Sequence, residues 1–316
     1  PTPMRSKGKS TTTACLQHSR RMLAASLTTA SVPPADTCST AGSLPYTLTN
    51  KTRLSPDSWL LRFALPRRYL GDDPLLPTCL KVLHPEGTDE AGRPKRLEKS
   101  YSPVSHPATE GSVDLVVKAY EPRPGGGVGA WLCGLEEGAV MHAALKAKRV
   151  MHGDAAVVGR WQHVGLVGGG TGIAPLLQIA RILLEDTGSA PAASVRLLSV
   201  NRREEDILVR QELEALAAAH PDRFRVSYSL TAPPAGWDGL TGRGSAELIM
   251  AALPPPRGDG STMVLVCGTD GFVELWGGPV ARAPKQPGEK KGAKVQGPLL
   301  GLLAEAGFDA SEVFKY

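Results

Sequence analysis

The rhythm of hydrophobic and polar positions changes near residue 160. From about 44 to 158 the chain reads as short strands separated by turns. YTLTNKTRLSPDSWLLRFALP holds two strand segments around a Ser-Pro-Asp turn at 55–57. CLKVLHP and SVDLVVKAYEP are further strands, DEAGRP at 89–94 is a loop, and GGGVGAWLCGL at 125–135 is a glycine turn entering a short helix. Short strands with frequent turn signals predict an antiparallel barrel. After residue 160 strands alternate with helices. The strands are HVGLV, VRLLSVN (195–201), FRVSYSL (224–230) and MVLVC (263–267). The helices are APLLQIARILLED (174–186), DILVRQELEALAAAH (206–220), SAELIMAAL (245–253) capped by Ser245, and LLGLLAEAG (299–307) stopped by Gly307. That alternation predicts a parallel sheet with right-handed crossovers. ARAPKQPGEKKGAK at 281–294 is charged and rich in Gly and Pro, and reads as a surface loop. The expected division is a tail at 1–42, a barrel domain at 43–158 and an α/β domain at 159–316.

Charge and composition narrow the function without naming it. The net charge is +5 over 316 residues, partly carried by the tail, which makes nucleic acid a poor partner and leaves room for an acidic protein. The five cysteines are scattered without a CxxC pair, and the seven histidines lack ligand spacing, so neither a disulfide framework nor a metal site is expected. No stretch has the run of about 18 apolar residues that spans a bilayer. Membrane association is expected only through residues upstream of Pro1 or through a partner. The first 35 residues contain no Asp or Glu and carry Arg5, Lys7, Lys9, Arg20 and Arg21 among many Ser, Thr and Ala. That is the composition of an organelle transit peptide, and a mitochondrial location is expected. The alternative is the cytosolic face of a membrane.

The chemistry concentrates in HVGLVGGGTGIAP at 163–175 and MVLVCGTDGF at 263–272. In the first, an apolar strand breaks into Gly168, Gly169 and Gly170, and Thr171 and Gly172 open a helix. Glycines let a ligand approach the backbone, and the free N–H groups of a helix start favour phosphate. The second is another apolar strand, ending in Cys267-Gly268. Ligands of open α/β sheets lie outside the carboxyl ends of the strands, so the pair predicts one nucleotide across the sheet edge.

A barrel followed by such a unit, with GGTGIAP and a strand-end Cys-Gly, resembles the ferredoxin–NADP reductase superfamily. Within it the sequence is most similar to the NADH–cytochrome b5 reductase family. The resemblance runs from about residue 44 to 316 and rests on several stretches in order: YSPVS (101–105), VDLVVKAY (113–120), GGGVGAWL (125–132), GGTGIAP (169–175), NRREEDILVRQELEAL (201–216), PAGWDG (234–239), LPPP (253–256), VCG (266–268) and the ending EVFKY. It implies a flavin-binding antiparallel barrel followed by a Rossmann-like nucleotide domain, with FAD and NADH as cofactors. Electrons would pass through the flavin to cytochrome b5 or a similar haem protein, because a flavin accepts hydride yet can deliver single electrons. Site residues follow by position. Tyr101, Ser102, Pro103 and Val104 form the flavin motif, with Ser102 near the reactive ring. Tyr120 packs near the adenine part of FAD and Lys118 faces the nicotinamide nucleotide. The backbone of Gly127, Val128 and Gly129 holds the FAD pyrophosphate. Gly169, Gly170, Thr171 and Gly172 take the nicotinamide dinucleotide, and Thr171, with Ser102 and Cys267, stands at the reacting rings. Cys267 and Gly268 flank the hydride path.

The sequence also departs from the pattern it resembles. Lys99 stands where the family's arginine pairs the FAD pyrophosphate; it keeps the charge and loses the bidentate fork. Gly129 replaces a serine, Ala174 replaces a threonine, and AALKAKRV (143–150) stands in place of a Gly-Pro. Where NADH-preferring members carry an acid, this chain has Thr231. Arg202 and Arg203 stand at the end of a neighbouring strand, which leaves both NADH and NADPH open. Two readings follow. One is an active FAD-dependent reductase. The other is a non-catalytic descendant that lost its flavin and serves as a structural subunit of an organelle complex. The colour of the purified protein separates them.

Overall fold

The computed structural model describes residues 42–73, 75–87, 93, 95–120, 127–146, 157–185, 193–285, 292 and 294–316. The tail expected at 1–42 lies almost wholly outside them, as do most of the 89–94 loop, Gly125 and Gly126, and the middle of the 281–294 insert.

Six strands, β1 (Ser43–Ser55), β2 (Ser58–Ala64), β3 (Cys79–His84), β4 (Leu97–Tyr101), β5 (Ser112–Lys118) and β6 (Val140–Lys146), build a barrel-like antiparallel sheet in the order β4-β3-β6-β1-β2-β5. β1 pairs with β6 through its first half and with β2 through its second. Register shifts between Leu48 and Asn50 and between Arg53 and Ser55 bend it, as bulges do, so one strand can serve two neighbours. The inner faces supply Tyr46, Leu48, Leu61, Phe63, Leu80 and Leu115 to one core, closed at one end by Val128 and Leu132 of the short helix α1 (Val128–Cys133).

The second half carries β7 (His163–Gly169), α2 (Ile173–Glu185), β8 (Ser194–Asn201), α3 (Arg210–Ala219), β9 (Phe224–Leu230), β10 (Leu240–Thr241), α4 (Ala246–Ala252), β11 (Thr262–Cys267), α5 (Asp270–Gly277), β12 (Val280–Arg282), β13 (Lys294–Gln296), α6 (Leu302–Glu305) and β14 (Val313–Lys315). A parallel sheet runs β10-β9-β8-β7-β11-β14. β7 and β11 are buried on both faces, which is why they read as continuous apolar runs. Ser245 caps α4 as expected, its Oγ accepting from Leu248 N.

β5 shows how the two sheets meet. Val113, Leu115 and Val117 point into the first core, while Val116 on the opposite face joins Val104, Trp161, Ile173 and Leu177 in a second core. Each such buried side chain contributes roughly 1.5–3 kcal/mol, so the apolar seam holds the halves together.

Three expectations need correction. The helix expected from 206 begins only at Arg210. Asp206 Oδ2 instead accepts from Arg203 N, Glu204–Asp206 forms a single 3-10 turn, and Val209 sits in the left-handed region at φ 51°. Burial of Ile207, Leu208 and Val209 holds the chain in that non-helical path. The helix expected over 299–307 is confined to Leu302–Glu305. Gly301 has φ +73° and presses its backbone against the Leu275 carbonyl, so the chain cannot be helical through it. The insert at 281–294 is more than a loop, since β12 and β13 pair at its base. Gln296 ties this ribbon to β14 by accepting from Lys315 N and donating to Lys315 O (2.8 and 2.9 Å). Lys315 Nζ, buried, donates to the carbonyls of Gly277, Pro279, Gly297 and Pro298.

Candidate active site

A cleft of about 640 Å³ opens at the carboxyl ends of the parallel strands. Its walls are the β1–β2 turn (55–58), the end of β5 with Lys118 and Tyr120, the turn after β7, the end of β8, the segments that follow β8, β9 and β10, and the start of α5. This is the position at which open α/β sheets bind ligands.

The glycine turn has a division of labour that its sequence does not reveal. Gly170, at φ +54°, faces open space beside Thr171 in the cleft; a residue with a Cβ would be strained there. Gly172 is packed instead. A Cβ on it would collide with the Cys267 carbonyl, so the turn and the end of β11 can meet only through glycine. Gly169 and Gly268 both lie against the ring of Phe272, which itself lines the cleft. Residues 170–172 form a 3-10 turn and α2 begins at Ile173, so Thr171 and Gly172, read as opening the helix, belong to the turn before it. Cys267 is half-buried at the end of β11.

Across the cleft, Asp57 holds the head of Lys118. The Asp57 Oδ2–Lys118 Nζ distance is 2.7 Å, and Ser55 and Ser58 hydroxyls donate to Oδ1. Burial works to raise the Asp57 pKa, yet the hydrogen bonds from Lys118, Ser58 and Ser55 outweigh it and keep the carboxyl below its ordinary value. Asp57 therefore stays ionised and fixes Lys118 at the cleft wall. Sequence reasoning recognised residues 55–57 as a turn but had no signal that the turn would face the glycine loop. It also missed Asn201, Arg243 and Phe272 as cleft residues.

A second cluster lies at the edge of the first core. Lys99 Nζ sits 5.4 Å from the ring of Tyr101 and 5.3 Å from that of Tyr120, with no carboxylate partner among the described residues. Tyr101 is buried, and its Oη has no hydrogen-bond partner among the described residues. Burial, with Cys133 and Tyr120 nearby, drives its pKa well above that of an ordinary phenol, so it remains a donor. Gly129 faces it. A Cβ there would stand 3.4 Å from Tyr101 Oη and only 2.7 Å from the Lys118 carbonyl. Ser102 follows half-buried, Pro103 is buried, and Val104 contributes its side chain to the apolar seam and its N–H to Asp114 O. Gly127, extended and without a side-chain cap, leads into α1 through Val128 and Gly129. Thr231 stands apart from this cluster, exposed at the end of β9 on the cleft.

These residues fit a flavin dinucleotide. An unpartnered buried phenol, a lysine free of carboxylates and a glycine-tight helix entry together offer donors and positive charge beside aromatic surface. The comparisons agree. Residues 45–146 match the model of an oxidoreductase FAD-binding domain, and residues 166–276 that of an oxidoreductase NAD-binding domain. NADH-cytochrome b5 reductase 2 of Neosartorya fischeri is 32% identical over 293 residues, covering 91% of this chain and 83% of the relative. The chain belongs to the NADH–cytochrome b5 reductase family. The human NADH-cytochrome b5 reductase 2 is 32% identical over 250 residues, covering 73% of this chain and 86% of its own. The cytochrome b5 reductase domain of Ulva prolifera nitrate reductase superposes with a TM-score of 0.66 at 25% identity, over 87% of this chain and 97% of that one. The two-sheet architecture is that of this reductase fold, and its cofactors are FAD and NADH.

Proposed function

We propose that the protein passes electrons from NADH through FAD to a cytochrome b5-type haem protein. One observation carries this reading. The β5 end, with Lys118 and Tyr120, and the Gly170–Thr171 turn line the same cleft, so a flavin site and a nicotinamide site share a boundary. Lys99 would neutralise the FAD pyrophosphate, Tyr101 would donate its O–H to the flavin dinucleotide, and the entry to α1 at Gly127–Gly129 would lie along it. Ser102 and Thr171 would supply hydroxyl donors to the reacting rings, and Cys267 with Gly268 would border them. Bound FAD supplies the chemistry that converts a hydride into single electrons. The protein's part is to hold the two rings together, orient them and keep one edge open to the acceptor.

The purified protein should be yellow, oxidise NADH with a one-electron dye and reduce cytochrome b5. A colourless protein that cannot be reconstituted with FAD would favour a structural subunit over an enzyme. For the first 35 residues we propose mitochondrial import, supported by their acid-free, hydroxyl-rich composition. A reporter carrying residues 1–42 behind an initiator methionine should reach mitochondria; a cytosolic reporter would refute the assignment.

A further inference from the structure

The cleft lining holds two guanidinium groups that no carboxylate engages among the described residues. Lys118, Arg202, Arg203 and Arg243 line the cleft, with Asp57, Glu205 and Asp206 as its carboxylates. The carboxylates are already engaged. Asp57 holds Lys118, Glu205 reaches Arg203 Nη1 at 3.4 Å, and Asp206 accepts from Arg203 N. Among the described residues, Arg202 and Arg243 have no ion-pair partner, and both side chains are exposed to the cleft.

Their positions match one part of a dinucleotide. In doubly wound sheets the strand after the first glycine turn ends beside the adenosine ribose, where an acid binds the free 2′-hydroxyl and an arginine accepts a 2′-phosphate. Here that strand is β8, and it ends in Asn201 followed by Arg202 and Arg203. Thr231 lies next to this end, since its N–H donates to Asn201 O (3.0 Å) and Ala232 N donates to Arg202 O (2.8 Å). A threonine there repels no phosphate and can donate a hydrogen bond to it. Arg243 follows β10 and brings its Nη2 beside Gly271 in the first turn of α5.

We propose that Arg202, Thr231 and Arg243 form a subsite for a phosphate monoester on the adenosine ribose, so that the cleft takes NADPH as well as NADH. This rests on the reading of the cleft as the nicotinamide dinucleotide site. Two guanidinium groups without carboxylates favour a dianion strongly, whereas a ribose hydroxyl gains little from them.

The test uses fragments as well as turnover. Calorimetry on the full-length protein should show adenosine 2′,5′-bisphosphate binding about ten-fold or more tighter than 5′-AMP, the effect of one added charge-assisted contact. The advantage should shrink with salt. Arg202→Ala and Arg243→Ala should each remove most of it while leaving 5′-AMP binding nearly unchanged, and Thr231→Asp should reverse it. In turnover, kcat/KM for NADPH should lie within about ten-fold of that for NADH. Equal binding of the two fragments by the wild type, or a preference that survives both arginine variants, would overturn the subsite. Retained fragment preference without NADH oxidation would instead overturn the proposed reductase activity and leave the subsite standing.

Discussion

Thr78 and Gln178 hold each other by two hydrogen bonds across the junction of the two sheets. Thr78 N donates to Gln178 Oε1 (2.8 Å) and Gln178 Nε2 donates to Thr78 Oγ1 (3.0 Å), both residues being buried. Thr78 immediately precedes β3 and Gln178 lies in α2, so this polar pair sits where the flavin half meets the nucleotide half. The seam around it is apolar and non-directional. The pair is directional, and it adds geometry to a contact that burial alone would leave free to slide.

Gln178→Leu should therefore cost about 2 kcal/mol, because it strands the buried Thr78 N–H. Thr78→Val should cost less, since it removes only the Gln178 Nε2 bond and the Thr78 N–H keeps its acceptor, whereas Gln178→Leu removes both. Urea denaturation separates the two. Equal losses would show that volume, and not the hydrogen bonds, matters at this site.

Gly129 offers a sharper test of the flavin site. The sequence suggests a lost hydroxyl at this position, but the backbone lies too close to the Lys118 carbonyl for any side chain without a shift of α1. Gly129→Ala and Gly129→Ser should both weaken FAD, by about ten-fold if the helix entry moves enough to lose one good contact. Flavin fluorescence on release provides the measurement. Tighter binding by the serine variant would restore the lost-hydroxyl explanation.

Lys99→Arg should act in the opposite direction. The exposed lysine lies over two aromatic rings with no carboxylate to compete for it, and a guanidinium can pair with a pyrophosphate through two N–H groups. An FAD affinity gain worth about 1 kcal/mol is expected. An unchanged dissociation constant would place the pyrophosphate elsewhere.

Glu312 ties stability to pH. Its buried carboxylate accepts from Arg257 N and Gly258 N (both 2.9 Å) and from Asp309 N (3.0 Å). Burial alone would raise its pKa, but the three N–H donors prevail and lower it below the ordinary 4.5. A carboxylate with a depressed folded-state pKa adds stability above the unfolded value and loses it as the pH falls towards the folded value. Stability should thus fall as the pH drops below about 4.5, and Glu312→Gln should flatten that part of the profile while costing about 2 kcal/mol at neutral pH. A parallel acid profile for wild type and variant would rule out this role.

The cysteines should differ in reactivity. Burial is the main cause that pushes the Cys133 thiol up to about 11, with Sγ beside the Val117 carbonyl, so it is barely ionised at pH 8. Iodoacetamide applied to the folded protein should label half-buried Cys267 well before Cys133, and mass mapping after brief exposure will show the order.

What the chain determines by itself is whatever depends on neighbours a few residues apart. The alternation in SVDLVVK, the apolar run HVGLV, the helical spacing of APLLQIARILLE and the Ser245 cap are local patterns, and each forms the expected element. The ordered motifs likewise brought the family and both cofactors within reach. Tertiary structure decided what depends on partners far along the chain. α3 starts late because three buried residues and an Asp206 hydrogen bond outweigh helix propensity. Gly172 and Gly129 are glycines because backbone from Cys267 and Lys118 lies against them, not only because a ligand must approach. The turn at 55–58 becomes a cleft wall, and Asn201 meets Thr231, only once β5 packs beside the glycine turn and β8 pairs with β9. Periodicity records which face of an element is buried; it carries no record of what lies opposite that face.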